Sequence, residues 1–113
     1  MQLNEYQAKA MTTCMPSSNN FSYMFLNLVG EVGEFASKVG KAIRKEQATI
    51  EYNNLDGLGK NEDLMKEAGD ILWQLSGVCS VMGWSLEDVA QINLEKLASR
   101  KQSNVIDGNG DNR

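Results

Sequence analysis

Two short acidic repeats stand out in the 113-residue chain, Glu31-Val32-Gly33-Glu34 and Glu67-Ala68-Gly69-Asp70, each with its carboxylates three residues apart. On a helix, residues three apart are neighbours on one face, so each repeat presents two negative charges together. Asn27, Lys38 and Lys41 extend the first polar stripe, and Gln74 extends the second. Aligning Glu31 with Glu67 also matches Leu28 to Leu64, Gly33 to Gly69, Phe35 to Ile71 and Val39 to Leu75, a local internal echo. Each acidic pair borders the apolar stripe of its own helix, so packing the two stripes together brings the carboxylates to a common edge. Like charges a few ångströms apart cost on the order of 1–4 kcal/mol per pair in partly solvated surroundings. A glycine in a helix interior adds about 1 kcal/mol relative to alanine. A hard divalent cation relieves the repulsion: Mg²⁺, or Mn²⁺ in its place, prefers oxygen ligands and is commonly shared between carboxylates and substrate phosphates. One Glu-x-x-Glu alone reads as a solvated face with weak ion pairs. Two copies beside core stripes, each enclosing a glycine, favour a metal site.

The rest of the composition narrows the chemistry. There is no histidine, which removes Ser-His-Asp and Cys-His catalysis and the usual nitrogen ligand of zinc or iron. A formal charge of −4 argues against a broad surface that tracks nucleic-acid phosphates. Cys14 and Cys79 are far apart and in apolar contexts, so buried free thiols in a reducing compartment are expected. No basic stretch leads into an apolar run at the N-terminus, and no apolar run approaches membrane-spanning length, so the expected location is cytoplasmic with no membrane partner.

The elements that must position these residues are all helical, since four segments show helical periodicity and none shows strand-like alternation. The first is expected over about 4–15, with Asn4 as N-cap and Gln7 as its capping-box partner, stopping before Pro16. The second, about 21–46, carries Phe21, Phe25, Leu28, Val32, Phe35, Val39 and Ile43 as one apolar stripe and ends in Arg44-Lys45. Residues 47–61 read as a long loop. The third helix, about 62–82, buries Leu64, Ala68, Ile71, Leu75, Val78 and Met82 and is stopped by Gly83. The fourth starts at Ser85 as N-cap, with Asp88 at the capping-box position and Trp84 against Val89 as a hydrophobic staple, and runs to about 102. The glycine-rich remainder, 104–113, reads as a flexible tail serving as a lid or an inter-subunit strap. The whole is expected to be one domain, a four-to-five-helix bundle.

Asn93 falls within the fourth helix's apolar stripe of Leu86, Val89, Ala90 and Leu97, with Arg100 further along nearly the same line. A buried amide and guanidinium need partners. Those are either neighbouring carbonyls and carboxylates or, with Lys96 added, the oxygens of a phosphate. Three readings compete with a metal-dependent enzyme of phosphates. A di-iron bundle fails for want of any Glu-x-x-His. A calcium loop at Asp107–Asp111 fails because the required glycine is Asn112 and no glutamate follows. A non-catalytic helical dimerisation module, its acidic edge binding a basic partner, stays open.

Taken together, the ordered set Glu31-Val32-Gly33-Glu34, Glu67-Ala68-Gly69-Asp70-Ile71-Leu72 and Asn93-Leu94-Glu95-Lys96-Leu97-Ala98-Ser99-Arg100 resembles the MazG-like all-α nucleoside triphosphate pyrophosphohydrolases. These are relatives of the dimeric dUTPases and of phosphoribosyl-ATP pyrophosphatase. The opening Glu5-Tyr6-Gln7-x-x-Ala10 and the closing Ile106-x-Gly108-x-Gly110-Asp111-x-Arg113 are similar to the small single-domain members. The resemblance implies hydrolysis of a nucleoside triphosphate to the monophosphate and pyrophosphate, with Glu31, Glu34, Glu67 and Asp70 as Mg²⁺ ligands. It implies that Lys38, Lys41, Asn93, Lys96, Arg100 and Arg113 face the phosphates. Glu34 is the expected proton acceptor, and Lys38 and Arg100 are expected to stabilise developing charge. A base pocket needs an aromatic or apolar wall; Tyr6, Phe21, Phe25 and Trp73 are the candidates, of which most read equally as core residues, while Trp73 lies off the apolar stripe and faces either the base or a partner subunit. Apolar residues on more than one face suggest self-association, by likeness a dimer or a dimer of dimers.

Overall fold

The computed structural model describes residues 1–45 and 62–103. It consists of helices α1 (Leu3–Met11), α2 (Phe21–Lys45), α3 (Glu62–Val81) and α4 (Leu86–Gln102), with a 3-10 turn at Pro16–Ser18 and no strand among the described residues. The all-helical expectation is met. None of these helices is long and apolar enough to cross a membrane. The expected loop over 47–61, the end of the second helix at 46 and the tail over 104–113, with Arg113, lie outside the described residues.

α1 is shorter than its periodicity suggests. The hydroxyls of Thr12 and Thr13 donate to the Lys9 and Ala10 carbonyls at 2.6 and 2.7 Å, and their backbone N–H groups turn to the same carbonyls, three residues back. This threonine back-bonding tightens the last turn and ends the helix well before Pro16. Nor does Asn4 cap α1. The N-cap position is Gln2, which makes no side-chain cap bond.

Asn4 and Gln7 instead serve α4. Gln7 Oε1 accepts the Leu86 N–H at 2.8 Å, Asn4 Oδ1 accepts the Glu87 N–H at 3.1 Å, and Ser85 Oγ accepts the Asp88 N–H at 3.0 Å. The first three N–H groups of α4, which no helix can satisfy internally, are thus shared between a local cap and α1. Gln7 Nε2 donates to Ser80 Oγ and to the Trp84 carbonyl, both at 3.0 Å, tying α1 to the α3–α4 corner. That corner is a Schellman turn: Gly83 takes φ +76° and donates to Ser80 O, while Trp84 N–H reaches back to Cys79 O at 2.8 Å.

α2 and α3 pair as an antiparallel hairpin, since the cross-helix partners Met24 with Gly77, Asn27 with Gln74 and Lys38 with Glu67 run in opposite directions. Met24 is fully buried, and a Cβ on Gly77 would lie 2.3 Å from its Sδ. Gly77 therefore leaves the space that the Met24 side chain fills. Gln74, 3 % exposed, donates to the Met24 carbonyl across the same crossing.

The buried apolar side chains among the described residues are Met24, Ala42, Leu64, Val78, Cys79 and Leu86. Cys79 is a buried free thiol whose pKa burial pushes up, whereas Cys14, expected to be buried, is only half-buried at the exposed end of α1. The long stripe of α2 is split. Leu28, Phe35 and Val39 are half-buried, while Phe21, Phe25, Val32 and Ile43 stand between 43 % and 50 % exposed. α3 divides likewise, with Leu64 and Val78 buried but Ala68, Leu75 and Met82 exposed. α2 packs mainly on α3, while α3 also carries α1 on another side, and between them these neighbours cover only part of each wide apolar stripe.

α4 packs on α1. With 9 residues against 17, α1 spans about 13 Å and α4 about 25 Å, so α1 covers only the beginning of α4. Asn93 is exposed, contrary to the expectation of a buried amide, whereas Arg100, further along the same face, is 6 % exposed as expected.

Candidate metal centre

The hairpin places the two acidic repeats face to face. One carboxylate oxygen each from Glu31, Glu67 and Asp70 lies within 4.8 Å of the others. Glu67 is buried at 9 % exposure, Glu31 is half-buried and Asp70 is exposed, so the group opens from the helix interface towards solvent. Burial raises the Glu31 pKa above its ordinary 4.5, and the charges of Asp70, Glu67 and Glu34 raise it further. Glu34 is exposed and stands outside the group of three, although its charge acts on Glu31.

Lys38, further along α2, places its Nζ 2.7 Å from Glu67 Oε1. Its pKa is raised, chiefly by that hydrogen bond and then by the charges of Glu67, Asp63 and Glu34. On the other side of Glu31, Asn27 Nδ2 donates to Gln74 Oε1 at 2.8 Å, closing the hairpin beside the carboxylates. Tyr6 of α1 is half-buried, and its pKa is raised by burial and by the charge of Asp70. The field of the acidic group thus reaches α1 at its tyrosine.

Trp73 lies off the α3 stripe as expected, and its indole N–H donates to Ala10 O at 3.1 Å and Thr13 Oγ1 at 2.9 Å. That contact fixes the end of α1. Lys41 is exposed on α2, Lys96 is half-buried, and Asn93, Lys96 and Arg100 share one face of α4 with Leu86 and Val89. Among the described residues nothing explains the enclosed glycines: a Cβ at Gly33 or Gly69 would meet nothing within 4 Å there.

The donor set is oxygen only, from three carboxylates with no histidine or thiolate, and its spacing suits a hard divalent cation better than a softer metal. The repeats made the carboxylates visible in sequence, but not the Lys38–Glu67 pair, the Asn27–Gln74 bridge or the Gln7 links. Antiparallel register would have indicated the bridge, since Asn27 stands opposite Gln74 once Met24 is set against Gly77.

Fold and site define a small all-helical protein with an acidic centre shared between two antiparallel helices. Residues 19–105 match the MazG nucleotide pyrophosphohydrolase domain, and the chain belongs to that family. It is also similar to the Gene 37 protein of Mycobacterium phage L5, at 38 % identity over 120 residues covering 100 % of both chains. No solved structure matches it significantly.

Proposed function

We propose that the protein is a Mg²⁺-dependent nucleoside triphosphate pyrophosphohydrolase that converts a nucleoside triphosphate and water to the monophosphate and pyrophosphate. The observation that carries this reading is the convergence of Glu31, Glu67 and Asp70 oxygens within 4.8 Å across the α2–α3 interface. Uncompensated, that arrangement is repulsive, and family membership supplies a phosphate-bearing substrate.

Glu31, Glu67 and Asp70 would hold the ion, with Glu34 joining them at the solvent edge. A bound divalent cation supplies charge neutralisation for the phosphates and lowers the pKa of a coordinated water. Glu34, exposed and outside the tight group, is the carboxylate best placed to accept the proton of the attacking water. Lys38 lies beside the acidic group and would engage phosphate oxygens together with Lys41, Asn93, Lys96, Arg100 and Arg113. Tyr6, which feels the charge of Asp70, would wall the nucleoside; Trp73, held to the end of α1, backs the same helix.

The exposed apolar stripes of α2 and α3 support self-association. Exposed apolar residues from two packed helices make a face that a second copy of the hairpin would cover in helix-bundle fashion. The reaction is tested by following pyrophosphate release from a panel of ordinary and modified nucleotides with Mg²⁺ and with chelator. Release only with Mg²⁺, lost in Glu67→Gln and reduced by about 100-fold or more in Glu34→Gln, is expected. No release from any nucleotide would sink the assignment.

A further inference from the structure

Glu67 is claimed by two cations of different kinds. It is the most enclosed member of the carboxylate group, and its Oε1 already meets the Lys38 ammonium at 2.7 Å. The two partners differ in freedom: the Lys38 side chain is 43 % exposed and that of Glu67 only 11 %. If the pair separates, Lys38 is the partner that moves. A divalent ion ligated by Glu31, Glu67 and Asp70 would stand a few ångströms from that ammonium, at a distance where like charges repel strongly. Glu34 and Asp63, whose charges also act on Lys38, offer it other carboxylates away from the group of three.

We propose that Lys38 is an exchangeable counter-cation. It holds Glu67 in place while the centre is free of metal, and it is displaced when a divalent ion takes the carboxylates, which turns its ammonium outward towards the substrate phosphates. The step is an ion exchange; no covalent bond forms or breaks, and Lys38 stays protonated throughout. The inference rests on the metal-centre reading above and adds an order of events: metal loading makes the phosphate-binding lysine available. It also assigns Lys38 a purpose in the resting protein, where an enclosed glutamate with no cation beside it would be costly.

The experiment compares the full-length chain, stripped of metal with chelator, with its Lys38→Met variant, which keeps the stem and loses the charge. Mn²⁺ binding is followed by electron paramagnetic resonance and unfolding by thermal melts with and without Mg²⁺. Expected are a lower melting temperature for metal-free Lys38→Met, convergence of the two melts at saturating Mg²⁺, and Mn²⁺ affinity about two- to fivefold tighter in the variant, because no tethered cation competes. Equal or weaker Mn²⁺ binding by the variant, with parent binding intact, overturns the exchange and leaves the metal centre standing. No Mn²⁺ binding by the parent removes both. A measurement on the unaltered side chain guards against misfolding of the variant: in ¹⁵N-lysine-labelled protein, the Lys38 ammonium signal, identified by its absence in Lys38→Arg, should shift on adding Mg²⁺. An unchanged signal at saturating Mg²⁺ also overturns the exchange.

Discussion

Glu31 holds its proton more tightly in the folded chain than in the unfolded one, because burial and then the charges of Asp70, Glu67 and Glu34 oppose its ionisation. The folded state therefore binds more protons from just above the ordinary value of 4.5 up to the raised one, and stability falls as pH rises through that window. Thermal melts in chelator at pH 5 and pH 7 should show this loss, and Glu31→Gln should flatten it. A Glu31→Gln slope equal to the parent's would mean that other groups set the dependence. At Gly77 the constraint is steric. A Cβ there would lie 2.3 Å from the Sδ of Met24, so this fully buried side chain would have to shift within the core. Gly77→Ala should cost about 1–3 kcal/mol of stability, read by urea titration, as overpacked cores do. Combining it with Met24→Ala should recover part of that loss.

α4 begins where α1 permits it. Its N–H groups at Leu86 and Glu87 are satisfied by Gln7 and Asn4, so the two helices form as a unit although they lie at opposite ends of the described chain. Gln7→Ala leaves the buried Leu86 N–H without its acceptor and should cost about 1–3 kcal/mol. Hydrogen exchange at Leu86 should accelerate more than at Asp88, which keeps the Ser85 cap. Exchange unchanged at Leu86 would show the bond to be dispensable. Asn4 followed by Gln7 has the local spacing of a capping box, and both residues do cap a helix, but α4 and not α1. Capping chemistry is visible in residue types; which helix end receives it is set by how distant elements dock.

On the scale of the molecule, the α2–α3 hairpin has an acidic face and a bare apolar one. Val32 is 50 % and Leu75 37 % exposed, more than a stable isolated chain needs to leave in water. The proposed self-association predicts a sedimentation coefficient above that of a monomer. Val32→Glu should shift it down and lower the melting temperature by several degrees, on the order of 4–8 °C per kcal/mol of lost stability at this size. A parent chain that sediments as a monomer at high concentration would contradict it.

The all-helical class, the start of α2, the extents of α3 and α4, the Gly83 stop, the Ser85 cap and the two acidic repeats follow from residue spacing alone, because helical periodicity and capping are short-range properties. The internal echo contains the carboxylates that the fold groups, yet it aligns the two helices in the same direction. Their antiparallel register was decided by packing: Met24 closes on Gly77, which sets Asn27 against Gln74 and groups Glu31, Glu67 and Asp70 while leaving Glu34 at the rim. Which half of each apolar stripe is covered, why Asn93 is exposed, and that Lys38 reaches Glu67 all depend on helix lengths and docking between segments far apart in the chain, and no local pattern carries that information.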